Sequence, residues 1–218
     1  VSVQLQIALD TSDLPSALRP LNAAIEHIDI IECGTILILN EGLDAVRAIR
    51  ALYPELPILA DVRIAEAGSI IAKHCFAAGA SLVSCVAGAS LATIEQVVRV
   101  AGEHDGEVQV ELSSEWFDLT RARAWRDAGV RHVIVKRSRD AEAAGALVWS
   151  LEDLDRIREL SDMGFTVTAT GGITPADIDT FADTPLGIII SGREIVGAAD
   201  PAASAARLQG RIREVFGS

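Results

Sequence analysis

The chain has 218 residues, half of them hydrophobic, and carries 31 acidic against 19 basic side chains for a net charge of −12. That is ample apolar material for one large core. It is too acidic for a nucleic-acid face, which needs Lys and Arg to replace phosphate counterions, and it lacks the run of roughly 18 apolar residues that a membrane span requires.

In chain order, short apolar, β-branched runs alternate with helical periods. Val3–Leu9 reads as a first strand. Pro20 sits awkwardly in the helical stretch after it, so that helix is expected to be broken or to start late. Ile28–Glu32 follows, then a helical stripe of Leu43, Val46, Ile49 and Tyr53. Ile58–Asp61 and Leu82–Val86 are the next strands, and Leu91, Ile94, Val98 and Ala101 form the next stripe. Val108–Leu112 leads to the stripe of Leu119, Ala122 and Trp125, and His132–Lys136 to Leu154, Ile157 and Leu160. Thr166–Ala169 and Leu186–Ile190 complete the strands. Ser150 with Asp153, Thr174-Pro175 and Asp200-Pro201 mark helix starts.

Nearly all the strand runs lack polar alternation, as parallel strands covered on both faces require. Eight strand–helix units with short links predict a single (β/α)8 TIM barrel, one domain over 1–218. An open doubly wound sheet also alternates, but no GxGxxG follows the first strand.

Charged residues close the strands. Asp10 ends the first, Glu32 the second, Asp61 the third with Arg63 just beyond, Glu111 the fifth and Lys136 the sixth. One such residue could merely cap a turn. Five on one ring point to the C-terminal mouth of a barrel, where active sites of this fold lie. The seventh and eighth strands end instead in Thr170-Gly171-Gly172 and Ser191-Gly192-Arg193. Glycine lets backbone N–H groups approach an anion, a following helix adds its positive end, and Arg193 offers a fork for phosphate oxygens. A phosphate site is expected there.

His27, His74, His104 and His132 avoid the strand C-termini and are read as packing or surface residues. Trp116, Trp125 and Trp149 are read as packing under helices. Cys33, Cys75 and Cys85 show no zinc spacing, and no basic start leads into an apolar stretch, so reduced thiols in a cytoplasmic protein are expected.

The segments LQIALD, DIIECGTILILNEG, LADVRIAEAG, VQVEL, KRSRDAEAAG, TATGG and ISGREI stand in the order of the orotidine-monophosphate-decarboxylase-like suprafamily. Within it the chain resembles the 3-keto-L-gulonate-6-phosphate decarboxylases, with the 3-hexulose-6-phosphate synthases as near relatives. The resemblance implies that Glu32 and Asp61 help hold Mg2+, that Asp10 and Glu111 orient a phosphorylated sugar-acid substrate, and that Gly171, Gly172, Gly192 and Arg193 hold its phosphate. Arg139, in the RSRD segment, would lie near the substrate and favours a decarboxylase over a synthase. A homodimer with shared active sites is implied too, the last acid of the third-strand motif, here Glu66, reaching across to the partner.

Two departures stand out. The family's Asp-x-Lys-x-x-Asp reads Asp61-Val62-Arg63-Ile64-Ala65-Glu66, and the sixth-strand histidine is Lys136. Arginine stabilises charge but hardly donates a proton. The reading is therefore a metal-dependent decarboxylase passing through an enediolate. Arg63 would face the charge and Lys136 would handle the proton, with Asp61 and Glu66 completing the catalytic group. An aldol-type synthase and a non-catalytic sugar-phosphate-binding barrel are the alternatives.

Overall fold

A computed structural model describes residues 2–113, 118–137 and 149–217. Eight parallel strands close into a barrel in sequence order. They are β1 (Gln4–Leu9), β2 (Ile30–Cys33), β3 (Ile58–Ile64), β4 (Leu82–Val86), β5 (Glu107–Ser113), β6 (His132–Lys136), β7 (Thr166–Thr170) and β8 (Ile188–Ser191). The helices are α1 (Leu14–Ala24), α2 (Thr35–Glu41), α3 (Asp44–Leu52), α4 (Gly68–Ala77), α5 (Leu91–Glu103), α6 (Leu119–Asp127), α7 (Leu151–Asp162), α8 (Arg193–Val196) and α9 (Pro201–Phe216). A 3-10 helix spans Pro175–Phe181. The expected (β/α)8 TIM barrel is what forms.

Period-two geometry sorts each strand into two sets. Leu5, Ile7 and Leu9 of β1 belong to a continuous apolar layer between sheet and helices, with Ile31, Val83, Val110, Val133, Val167 and Ile189. The alternate residues face the barrel axis, and many are polar. Gln109 on β5 donates across β6 to Thr168 on β7 (3.2 Å), a contact that only inward-facing side chains can make. Gln6, Glu32, Asp61, Ser84, Gln109 and Thr168 are all buried. The inner apolar cluster is small: Ile30, Ile188 and Ile190, with Ala8 against it. Runs that read as apolar throughout thus carry a polar inner face.

Pro20 does not break the first helix. α1 is continuous from its cap at Asp13, whose carboxylate accepts the Ser16 N–H (2.7 Å), with Pro20 inside it. The proline denies an intrahelical donor to the Ser16 carbonyl, but Ser16 is exposed, where solvent can take the donor's place, while the ring is buried. The α5 stripe is also rotated from the expected one. Ile94, Val97, Val100 and Ala101 are buried, and Leu91 is 40% exposed. The three cap signals hold: Ser150 and Asp153 form a capping box, as do Thr174 and Asp177, and Asp200 caps α9.

Arg50 clasps the opposite, N-terminal end of the barrel. It donates to the carbonyls of Gly79, Tyr53, Pro54 and Leu56 and to Ser81 Oγ, tying the end of α3 to the entries of β3 and β4. His132 lies at that end too, its Nε2 2.5 Å from Glu107, so its role is structural. His104 stacks on Phe76, and Trp125 is fully buried. Trp116 lies outside the described residues. No helix among the described residues is long and apolar enough to cross a membrane.

Candidate active site

Parallel pairing brings the strand C-termini to one rim, and Asp61, Arg63, Glu111 and Lys136 meet there. Asp61, near the end of β3, is 5% exposed. Its Oδ1 accepts from Ser84 Oγ (2.6 Å), and its Oδ2 from Thr35 Oγ1 (2.7 Å) and Arg63 Nε (3.4 Å). Glu32 on β2 is buried and accepts from Gln6 Nε2 (2.6 Å). Burial, then the charge of Asp61, pushes the Glu32 carboxyl well above its usual range; Asp10 and Glu111 add to the effect, while the Gln6 hydrogen bond opposes it.

Arg63 occupies unusual backbone. Its φ is +48°, and the β3–β4 register shifts between Ala60 and Ile64, the mark of a bulge. Left-handed geometry is costly for a side chain with a Cβ, and the Arg63 N–H is pinned to Ser84 Oγ (2.8 Å). The bulge turns the guanidinium so that Nε lies 3.4 Å from Asp61 and 3.5 Å from Glu111. Burial disfavours its charge, but Glu111 and Asp61 outweigh burial and its pKa rises above the ordinary arginine value. The other carboxylate oxygen of Glu111 accepts from Lys136 Nζ (2.9 Å). The two substituted cations therefore share one carboxylate.

Asp10 sits just past β1 with Oδ1 3.4 Å from the Ile36 N–H. It lies so close to the next loop that a Cβ on Gly34 would fall 2.3 Å from its Oδ1, so only glycine fits there. Glu66 is exposed on the loop between β3 and α4 and is not drawn into the carboxylate network. Arg139 lies outside the described residues.

Thr170, Gly171 and Gly172 close β7, with φ of +115° and +66° at the glycines. Gly192 caps α8, which begins at Arg193. The elements after these loops differ from the expectation of full helices. One is a 3-10 helix of seven residues and the other an α-helix of four. Their dipoles are correspondingly small, so an anion there would rely on backbone N–H groups and Arg193.

Among the described residues no group of three or more His, Cys, Asp or Glu side chains could hold a metal ion. Glu32 and Asp61 lie near enough for the charge of Asp61 to act on the Glu32 carboxyl. Burial raises the thiol pKa of Cys33 and of Cys85 to about 12, with Glu32 adding to the effect on Cys33, and that of Cys75 to about 11; all three are free and unsuited to nucleophilic work.

Sequence reasoning missed the supporting donors Gln6, Thr35 and Ser84. A polar residue inside an otherwise apolar strand, as at Gln6 and Ser84, was the available signal. It marks a residue that must find a partner inside the barrel.

Comparison with known proteins gives the family. The profile of the orotidine 5'-phosphate decarboxylase / HUMPS family matches residues 3–208. The 3-keto-L-gulonate-6-phosphate decarboxylase UlaD of Escherichia coli O139:H28 is 43% identical over 213 residues, 98% of each chain. The crystal structure of KGPDC from Streptococcus mutans in a ligand complex superposes with a TM-score of 0.94 at 33% identity, over 99% of both chains. That of 3-hexulose-6-phosphate synthase from Salmonella typhimurium gives 0.90 at 30% identity, over 98% of this chain and 100% of the other. With a family profile spanning nearly all of it and the barrel to match, the chain belongs to the orotidine 5'-phosphate decarboxylase / HUMPS family.

Proposed function

We propose that this protein is a carboxy-lyase that decarboxylates a β-keto acid sugar phosphate of the 3-keto-hexulonate 6-phosphate type. The observation that carries the reading is the Asp61–Arg63–Glu111–Lys136 chain at the barrel mouth, two cations on one carboxylate. The 43% identity to a 3-keto-L-gulonate-6-phosphate decarboxylase supports the substrate class.

When the carbon–carbon bond to the carboxylate breaks, CO2 leaves and its bonding pair stays on the sugar as an enediolate. A fixed positive charge beside the oxygen that gains electron density lowers that barrier, because it is already oriented before the charge forms. Arg63 fills this role, held by Asp61 and Glu111 in a bulge that costs no rearrangement during the reaction. Lys136 supplies the proton that the carbanionic carbon needs. Asp10 and Glu111 accept from sugar hydroxyls. Arg139 and Glu66 keep their expected roles near the substrate, Glu66 across a dimer interface. Gly171, Gly172, Gly192 and Arg193 take the phosphate, with Thr170 fixing the start of their loop.

Mg2+ fits the same mouth. Asp10, Glu32, Asp61 and Glu111 face Arg63 and Lys136, an excess of two negative charges when all are ionised, and burial together with that crowding favours the protonated form of Glu32. Glu32 and Asp61 would hold the ion, with water and substrate oxygens completing a hard-oxygen shell. Bound there, it would act as a Lewis acid toward substrate oxygens. A homodimer is part of the proposal. Ile36 (42% exposed), Leu39 (75%) and Ile70 (61%) leave apolar surface on α2 and α4, which flank β3 and the Glu66 loop. Sedimentation at micromolar concentration reads that state directly. Three free thiols support a cytoplasmic setting.

The test is incubation with a panel of phosphorylated β-keto acids, watching CO2 release. Turnover of at least one is expected. Formaldehyde consumption with a pentulose phosphate, and no CO2, would assign a synthase instead. In the same assay Arg193→Ala should raise KM about tenfold or more with a smaller change in kcat, since the phosphate is remote from the reacting carbons. An unchanged KM would remove Arg193 from the phosphate site.

A further inference from the structure

Arg137 follows Lys136 but turns away from the Glu111 network and onto the glycine loop of β7. Its backbone N–H donates to the Thr170 carbonyl (3.1 Å). Its guanidinium donates twice to the Gly171 carbonyl, through Nε (3.1 Å) and Nη2 (2.6 Å). The Trp149 ring lies 5.0 Å from the guanidinium, and Trp149 packs edge-on against Phe181 (4.9 Å, 72°) in the 3-10 helix after the loop. Gly171 is specified from the other side as well. A Cβ there would fall 2.7 Å from Arg137 Cβ and 2.8 Å from its carbonyl oxygen, at a φ of +115°.

A Gly–Gly peptide has almost no preference of its own for which way its plane faces, because both residues accept either sign of φ. A trans peptide directs its C=O and N–H oppositely, and no peptide among the described residues is cis. Fixing the Gly171 carbonyl therefore fixes the Gly172 N–H. We propose that Arg137 is a positioning residue for the substrate phosphate: by holding the Gly171 carbonyl it aims the Gly172 N–H at the anion. Without that hold, the plane is free to flip and present a carbonyl oxygen to the phosphate, which repels it. The proposal rests on the reading of the β7 loop as a phosphate site and adds a residue that does not itself touch the phosphate.

The experiment uses inorganic phosphate as the probe, titrated calorimetrically into wild type, Arg137→Met and Arg137→Lys, with KM and kcat measured for the phosphorylated substrate. Arg137→Met should weaken phosphate binding about tenfold, and KM should rise by a similar factor while kcat changes less. Arg137→Lys keeps one donor on Gly171 and should recover part of the loss, which a purely structural arginine would not produce in the ratio of KM to kcat. Should Arg137→Met fail to fold, Arg137→Gln carries the same expectation, with circular dichroism as its control. Variants that bind phosphate as tightly as wild type overturn the role of Arg137. Wild type that binds no phosphate overturns the β7 loop reading instead.

Discussion

Arg63→Ala is expected to lower the rate of CO2 release by about two to three orders of magnitude, the loss found when a preorganised donor to a developing oxyanion is removed. The guanidinium sits 3.4 Å from Asp61 and 3.5 Å from Glu111, so its removal also leaves those carboxylates facing each other without a cation between them. Arg63→Lys should retain appreciable activity, because an ammonium supplies the charge and restores the family's residue. Lys136→Ala should behave differently. Its ammonium is 2.9 Å from Glu111 and on the far side of that carboxylate from Arg63. Proton delivery should suffer more than carbon–carbon cleavage, seen as impaired deuterium incorporation from D2O or loss of stereochemical control. The measurement is deuterium content of the product beside the rate of CO2 release. A Lys136→Ala enzyme matching wild type in both would make Lys136 a structural charge, with the proton coming from water held elsewhere.

Glu32→Gln should move activity and stability in opposite directions. Turnover should fall by at least about a hundredfold, as should that of Asp61→Asn and of wild type in excess chelator, because either a carboxylate arranged for the cation or the cation itself is lost in each case. Full activity in chelator would end the metal assignment. The metal-free Glu32→Gln protein should nevertheless melt at a higher temperature than metal-free wild type at neutral pH. The sign follows from linkage. Glu32 has a folded-state pKa raised well above its ordinary value of 4.5, by burial first and Asp61 second. Below pH 4.5 folded and unfolded chains both hold that proton, and its stabilising effect is fully present. As pH rises through the folded-state value that stability is lost, because the unfolded chain releases the proton more readily. Glutamine does not titrate, so the gap between variant and wild type should open as pH rises. Thermal melts in chelator at pH 5 and pH 8 read it directly.

The strand runs were legible because parallel strands are long-range objects with a local signature. Ile58–Asp61, Leu82–Val86 and His132–Lys136 needed only a short, mainly apolar run to be placed. Helix faces were less so. α5 carries Val97, Val98 and Val100 within four residues, and composition alone does not say which of them faces the sheet. Pro20 misled because part of the cost of a proline inside a helix falls away when the carbonyl it orphans is open to solvent, and exposure is a tertiary property. At the site, Asp10, Glu32, Asp61, Arg63, Glu111 and Lys136 stood out because a charge ending an apolar strand has few innocent explanations. The bulge at Arg63 did not. Nothing in Val62-Arg63-Ile64 announces a left-handed residue, since the hydrogen bond that accompanies it comes from Ser84 on the next strand. Thr35 was silent for the same reason, its partner lying 26 positions away; Gln6, polar inside an apolar strand, signalled a buried partner without naming it.

The separation of the apolar layer from the inner cluster bears on how such a protein diverges. The contacts that hold the barrel together run between the outward strand residues and the helices, and among the described residues the apolar cluster inside the barrel is Ile30, Ile188 and Ile190 with Ala8. A strand-end residue such as Lys136 belongs to neither group, so exchanging it for histidine, or Arg63 for lysine, alters the reactive rim without creating a cavity. Selection on chemistry and selection on folding therefore act on almost disjoint sets of positions. A lineage built this way explores new reactions by single steps that each leave a folded intermediate. Ancestral reconstruction across this family should find reversals at positions 63 and 136 that exchange catalytic behaviour while melting temperatures stay nearly level.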